Sequence, residues 1–316
     1  MADKDFLVIA HRGASGYVPE HTLEAKAYAH ALGADYIEQD VVATRDNELV
    51  VLHDIYLDRV TDVADRFTGR HREDGRYYVR DFDLAEIRTL NVHERRRSDG
   101  VTAVFPNRFP TGVGRFRVST LREEIRFIQG MNQSTGRVMG IYSEIKKPAF
   151  HREDGVDISP MVLQLLDDLG YHTKSDPVIV ECFDARETRR IRHELGCQLK
   201  LAQLIEDNEA RESDTDYDQL RTPEGLADIA RTVDAIGPKL THVVKLADVD
   251  GMLVSTGLVS MAHDLGLLVH PWTFRADQLA PGFDSLQEMI RWFVDEIRID
   301  GVFTDFPDMA LEAIRT

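Results

Sequence analysis

The 316-residue chain has an ordinary globular composition, 43% hydrophobic and 29% charged. Its net charge of −17 argues against a nucleic-acid binder, which shows a basic face, and against a surface that docks broadly on anionic membrane. No apolar run approaches the roughly 18 residues of a membrane span, and the length suits two ordinary domains or one barrel of about 250 residues with an insertion.

Apolar, β-rich runs recur along the chain. They are FLVIA from Phe6, YIEQDVV from Tyr36, MGIYSEIK from Met139 and PVIVECF from Pro177. LKLAQLI from Leu199, VDAIGP from Val233, LLVHPWT from Leu267 and DGVFTDFP from Asp300 complete the set. Helical patterns separate most of them. HTLEAKAYAHALG offers Thr22 as a cap, an apolar face of Ala25, Tyr28, Ala29 and Leu32, and Gly33 as a stop. DARETRRIRHELG and SLQEMIRWFVDEIR have the same form. Eight alternating units imply parallel pairing through crossovers and a closed (β/α)8 TIM barrel, an α/β fold covering residues 1–316.

One interval breaks the period of about 30 residues per unit. Between the second and third strands, ELVVLHD follows an Asp46-Asn47 turn and is expected to fold back as a hairpin strand over Val50–His53. Residues 55–117 then form an inserted subdomain, with one helix candidate, LAEIRTL, and a turn-rich FPNRFPTGVG. A structureless loop of that length is uncommon in a compact domain. Cys182 and Cys197 make no disulfide framework or metal spacing, and Cys182 is expected to pack as a small core residue. The start MADKDFLVIAH lacks the features of a signal peptide, which leaves a cytosolic protein or one whose leader has been removed.

Barrel chemistry collects at the C-terminal strand ends. Those ends carry His11 and Arg12; Glu38 and Asp40; Glu144 and Lys146; His270 and Trp272; and Asp305, with His53 and Asp54 from the hairpin. Any one of these could be a solvated end. Glu38 and Asp40, however, interrupt an apolar run at i, i+2, and burying two carboxylates on one face is costly without positive partners. With Glu144 they form an oxygen-donor set suited to a hard cation, Mg²⁺ or Ca²⁺, rather than Zn²⁺. Arg12 and Lys146 suit a phosphate, and two histidines suit proton transfer near neutral pH. The set matches phosphodiester cleavage. A sugar-cleaving carboxylate pair would leave Arg12, Lys146 and both histidines idle.

AHRGASGYVPEHT, GADYIEQDVVAT, LVVLHDIYLDRVTDV, GIYSEIKKP and VFTDFPD run over nearly the whole chain, and in them it resembles the glycerophosphodiester phosphodiesterase family. The long insert resembles that of the periplasmic bacterial branch, and His21 stands where many members carry Asn. The resemblance implies that Glu38, Asp40 and Glu144 bind a divalent cation, Ca²⁺ ahead of Mg²⁺. It also implies that His11 and His53 are the acid–base pair and that Arg12 and Lys146 contact phosphate. Trp272 packs on the glycerol carbons or else shields the core, and Phe183 lines the pocket. Glu20, Asp54 and Asp305 orient His11, His53 or Arg12. The implied substrates are small glycerophosphodiesters, cleaved to sn-glycerol 3-phosphate and an alcohol. No nucleic-acid partner or stable membrane insertion is expected, a homodimer is left open, and the compartment is periplasmic if a leader was removed. The insert is expected to cover one side of the barrel mouth. The alternatives are a lyase that stops at a cyclic phosphate and a surface-binding or antigen protein on the same fold.

Overall fold

The computed structural model describes residues 6–247 and 252–315. Its strands are β1 (Leu7–Ala10), β2 (Tyr36–Ala43), β3 (Leu49–Val51), β4 (Gly140–Ile145), β5 (Val178–Cys182) and β6 (Lys200–Ile205). The rest are β7 (Ala235–Pro238), β8 (Val244–Leu246), β9 (Leu253–Ser255), β10 (Leu268–Val269) and β11 (Gly301–Thr304). Eight of them run parallel in the order β10-β7-β6-β5-β4-β2-β1-β11. The two ends meet through backbone bonds from Asp300 to Val269 (3.0 Å), Phe303 to Pro271 (3.1 Å) and Phe274 to Phe303 (2.8 Å). These close the barrel, as the alternating sequence pattern required. β3 pairs antiparallel with β2, and β8 and β9 form a separate hairpin.

Strand parity sets what lies inside. Ile9, Tyr36, Tyr142, Ile179, Ala202, Ala235 and Phe303 form an apolar cluster. Because side chains alternate faces, the residues two further along also point inward, one layer nearer the C-terminal rim. From Ile9, Tyr36, Tyr142, Ile179 and Phe303 this rule reaches His11, Glu38, Glu144, Glu181 and Asp305. An apolar floor thus carries a charged layer.

The helix Leu23–Leu32 starts where expected, with Thr22 Oγ1 accepting from the Ala25 amide at 3.2 Å, and stops at Gly33, φ 92°. Its buried face differs from the expected one. Ala25, Lys26, Ala29 and His30 are buried, whereas Tyr28 is exposed. Lys26 is drawn inward because it meets the Glu124 carboxylate at 3.0 Å and donates to the Glu38 carbonyl. Gly13 (φ 87°) permits this packing, since a Cβ there would lie 2.8 Å from the Ala25 backbone. Glycine is needed at this position for the close approach to the helix.

Residues 55–117 have an apolar cluster of their own, with Leu57, Val63, Phe82, Ile87 and Leu90 fully buried. The cluster continues onto Val42, Val50 and Leu52 of the hairpin, so the insert is seated on that hairpin. Each such side chain contributes about 1.5–3 kcal/mol by burial. The helix candidate forms only over Leu84–Ile87, capped by Asp83 and Glu86. Cys182 is fully buried, as expected.

His270 departs from the rim position read from the sequence. Strand β10 is short, and His270 lies in the barrel interior, fully buried, with Nδ1 3.2 Å from the Tyr142 hydroxyl. Burial lowers its pKa from 6.5 to about 4. The folded state therefore excludes a proton that the unfolded chain binds below about pH 6.5. Stability from this group is complete above 6.5, declines as pH falls and is lost by pH 4. The full difference is about 3 kcal/mol. Urea midpoints of His270→Gln are expected to fall less steeply than wild type across that window. An unchanged slope would contradict the assignment.

Candidate active site

The C-terminal rim opens into a cleft of about 240 Å³ lined by His11, Arg12, Glu38, His53, Glu144, Lys146, Glu181, Phe183 and Trp272, among others. Among the described residues the lining set holds nothing from 55–117. The insert reaches the residues around the cleft through Arg95, which donates to Glu20 and Asp54, and Arg108, which donates to Asp305. Larger depressions lie on the outer wall, one of about 410 Å³ beside Pro160 and Met161, away from the strand ends.

Register brings the carboxylates together. Asp40 pairs with Glu144 across β2 and β4, and Glu144 with Glu181 across β4 and β5. Oxygen atoms of Glu38, Glu144 and Glu181 all lie within 4.8 Å of one another. Burial pushes Glu38 up to about 8, and Glu144 and Glu181 well above the usual carboxylate range. The Glu181 Oε2 and Asp40 Oδ1 atoms are buried without hydrogen-bond partners. Such a group of buried oxygens is costly unless a cation neutralises it, and these carboxylates can hold a metal ion. Asp40 differs from the others. Burial opposes its charge, but Lys146 at 3.8 Å and a 2.7 Å hydrogen bond to His21 outweigh it and hold Asp40 well below the usual range.

The basic groups sit against this cluster. The Lys146 ammonium lies 2.8 Å from Glu144. Arg12 adopts a left-handed backbone, φ 59°, which directs its amide to Glu38 at 2.7 Å. Its guanidinium donates twice to Glu20 at 3.1 Å, and its Nε, 3.6 Å from Asp40 Oδ2, is a buried donor without a hydrogen-bond partner. An anion oxygen would satisfy that donor.

Both histidines are held from behind. His11 Nδ1 lies 2.6 Å from Asp305, and His53 Nδ1 lies 2.7 Å from Asp54. Burial and the Arg12 charge lower both imidazoles to about 4. Burial opposes ionisation of Asp305 and Asp54 too, but Arg275 and Arg95 respectively lead the charges that keep them well below the usual range. Ionised carboxylates only accept, so each Nδ1 carries the proton and each Nε2 keeps its lone pair. His53 reaches the rim because Leu52 donates its amide to the Asp40 carbonyl at 2.9 Å, which anchors the end of the hairpin. Phe183 and Trp272 meet edge to face at 5.8 Å, and the indole N–H donates to Gly237.

The structure gathers twelve of the residues singled out from the sequence, eight lining the cleft, Asp40 buried beside them, and Glu20, Asp54 and Asp305 one contact behind, while His270 lies apart inside the barrel. It adds Glu181, Arg275 and Glu212 to the lining, and Arg95 behind Glu20 and Asp54. Glu181 had a signal: it interrupts VIVECF as Glu38 interrupts YIEQDVV.

Fold and site together define a barrel whose rim gathers carboxylates that could hold a metal ion, the cations of Arg12 and Lys146, and two carboxylate-held histidines. The model of the glycerophosphoryl diester phosphodiesterase family matches residues 11–309, and the chain belongs to that family. It is 44% identical to a glycerophosphodiester phosphodiesterase of Haemophilus influenzae, over 98% of this chain and 90% of that one. A Treponema pallidum protein of the same description is 37% identical, over 97% and 91%. Among solved structures, a putative glycerophosphoryl diester phosphodiesterase from Silicibacter pomeroyi is 26% identical with a TM-score of 0.74, covering 99% of this chain and 95% of that one. No helix among the described residues is long and apolar enough to cross a membrane.

Proposed function

We propose that this protein hydrolyses glycerophosphodiesters to sn-glycerol 3-phosphate and an alcohol, with a divalent cation, Ca²⁺ ahead of Mg²⁺, held by Glu38, Glu144 and their neighbours Asp40 and Glu181. The observation that carries the reading is the pair of histidines, each with Nδ1 fixed by a carboxylate and Nε2 free, beside one carboxylate cluster. The cluster is all oxygen, which suits either hard cation, and Ca²⁺ is placed first because it accepts six to eight oxygens in irregular arrangements where Mg²⁺ demands a near-ideal octahedron. When bound, the cation would supply charge neutralisation for the phosphodiester.

The remaining work falls to the chain itself. Arg12 and Lys146 bind the phosphate oxygens and disperse the charge that builds during attack. One histidine Nε2 takes the proton of the attacking hydroxyl, and the other gives a proton to the departing alkoxide. Asp305 and Asp54 stabilise the imidazolium in either role. The negative diester also favours imidazolium, which offsets the Arg12 charge that disfavours it. Trp272 and Phe183 give the glycerol carbons an apolar wall.

The test is a coupled assay for glycerol 3-phosphate from glycerophosphocholine, with and without chelator. Turnover that chelation abolishes and Ca²⁺ restores is expected. Turnover indifferent to chelation would remove the cation, and accumulation of a cyclic phosphate by phosphorus NMR would make the protein a lyase.

A further inference from the structure

Two arginines of the insert reach the back of the site. Arg95 is buried and spans two carboxylates, donating to Asp54 at 2.6 Å and, through its other two nitrogens, to Glu20 at 2.8 and 2.6 Å. Asp54 holds His53, and Glu20 holds Arg12. Arg108, with a side chain 5% exposed, donates to Asp305 at 2.7 Å, to Asp277 at 2.8 and 3.0 Å, and to the Ser15 carbonyl at 3.3 Å. It also stacks 3.6 Å from the centre of the Phe105 ring, within the same turn-rich loop. Asp305 holds His11.

We propose that Arg95 and Arg108 are positioning residues for the reaction, each fixing the carboxylate that orients one of the two histidines. Neither is among the residues that line the cleft. Their planar forks suit the task, because one guanidinium satisfies two acceptors in set directions where an ammonium satisfies them only as a point charge. Without Arg108, the Asp305 Oδ2 that both arginines share keeps Arg275 at 2.7 Å but loses its second donor, and with it half of the grip on the oxygen opposite His11. Without Arg95, Asp54 is released and Glu20 is left to Arg12 alone. On this account the insert contributes to rate through the carboxylates that hold the histidines.

The inference rests on the phosphodiesterase reading, and its test compares four variants with wild type on glycerophosphocholine. Arg108→Ala is expected to lower kcat by about 10- to 100-fold with KM unchanged, and a guanidinium salt should restore part of the loss. Arg95→Ala should lower kcat similarly and also raise KM, because Glu20 then pulls on the phosphate-binding Arg12. Arg108→Lys should fall between Arg108→Ala and wild type, and it carries the test if the alanine variant melts below the assay temperature. Arg70→Ala is the control. Arg70 pairs with Glu86 and stacks on Phe82 within the insert, away from the rim, so its variant should melt lower yet keep kcat. Full kcat in Arg95→Ala and Arg108→Ala would overturn the proposal. So would an equal loss in Arg70→Ala, which would point to general integrity of the insert, or a loss explained by a parallel fall in Ca²⁺ affinity. A wild-type protein inactive on every glycerophosphodiester would instead overturn the reading beneath it, and this role with it.

Discussion

His11→Ala and His53→Ala are each expected to lower turnover of glycerophosphocholine by at least about 10²-fold, with the fold and cation binding intact. The size follows from what each imidazole offers. With Nδ1 held by Asp305 or Asp54, the only free ring atom is Nε2, and alanine leaves no group in its place to accept or donate a proton. Cleavage needs both transfers, and the leaving alkoxide is a poor one, so neither loss is compensated by the other histidine. The two variants separate when the leaving group changes. A glycerol phosphodiester of p-nitrophenol departs without protonation. The variant that lacks the acid should regain most of its rate on that substrate, whereas the variant that lacks the base should not. Identical behaviour of both variants on the two substrates would contradict the division of roles, and full activity in either would remove that histidine from the reaction.

The sequence carried the barrel and most of its rim because both leave short-range marks. Apolar runs at regular intervals mark strands. A charge that interrupts such a run, as Glu38 does in YIEQDVV, marks a side chain forced inward. Glu181 bears the same mark beside Cys182 and was legible on equal terms. The supporting ties leave no such mark. Arg95 meets Asp54 across 41 residues and Glu20 across 75, and Arg108 meets Asp305 across 197. An arginine in a turn-rich segment reads as solvated until the fold seats it. His270 shows the opposite error. Its run suggested a strand end, but β10 stops at Val269 and the residue lies inside the barrel against Tyr142. Lys26 left no mark in the sequence for a related reason, since the helical period gives the face but not the buried Glu124 that draws a lysine into it.

Removing a carboxylate from the cluster should have opposite effects on the protein with and without cation. Glu181 is the clearest case. Its Oε2 has no hydrogen-bond partner, and burial together with the charges of Glu38, Glu144 and Asp40 raises its pKa well above the usual range. Glu181→Gln keeps the shape and removes a buried acid that must take up a proton to fold without cation, so the cation-free variant should melt at or above wild type. Ca²⁺ at 100 times its Kd stabilises a folded protein by about 2.7 kcal/mol, and this gain should shrink in the variant because a ligand oxygen is lost. Glu144→Gln should differ, because Glu144 lies 2.8 Å from Lys146. Losing that pair lowers stability without cation, and Ca²⁺ affinity should fall at least about tenfold. Asp40→Asn, paired in wild type with His21 at 2.7 Å, completes the comparison. Thermal melts and calorimetric Ca²⁺ titrations of the three variants decide the ligand set. A wild-type Ca²⁺ shift in Glu181→Gln with loss in Asp40→Asn would assign the cation to Glu38, Asp40 and Glu144. The reverse result would assign it to the group formed by Glu38, Glu144 and Glu181, whose oxygens lie within 4.8 Å of one another.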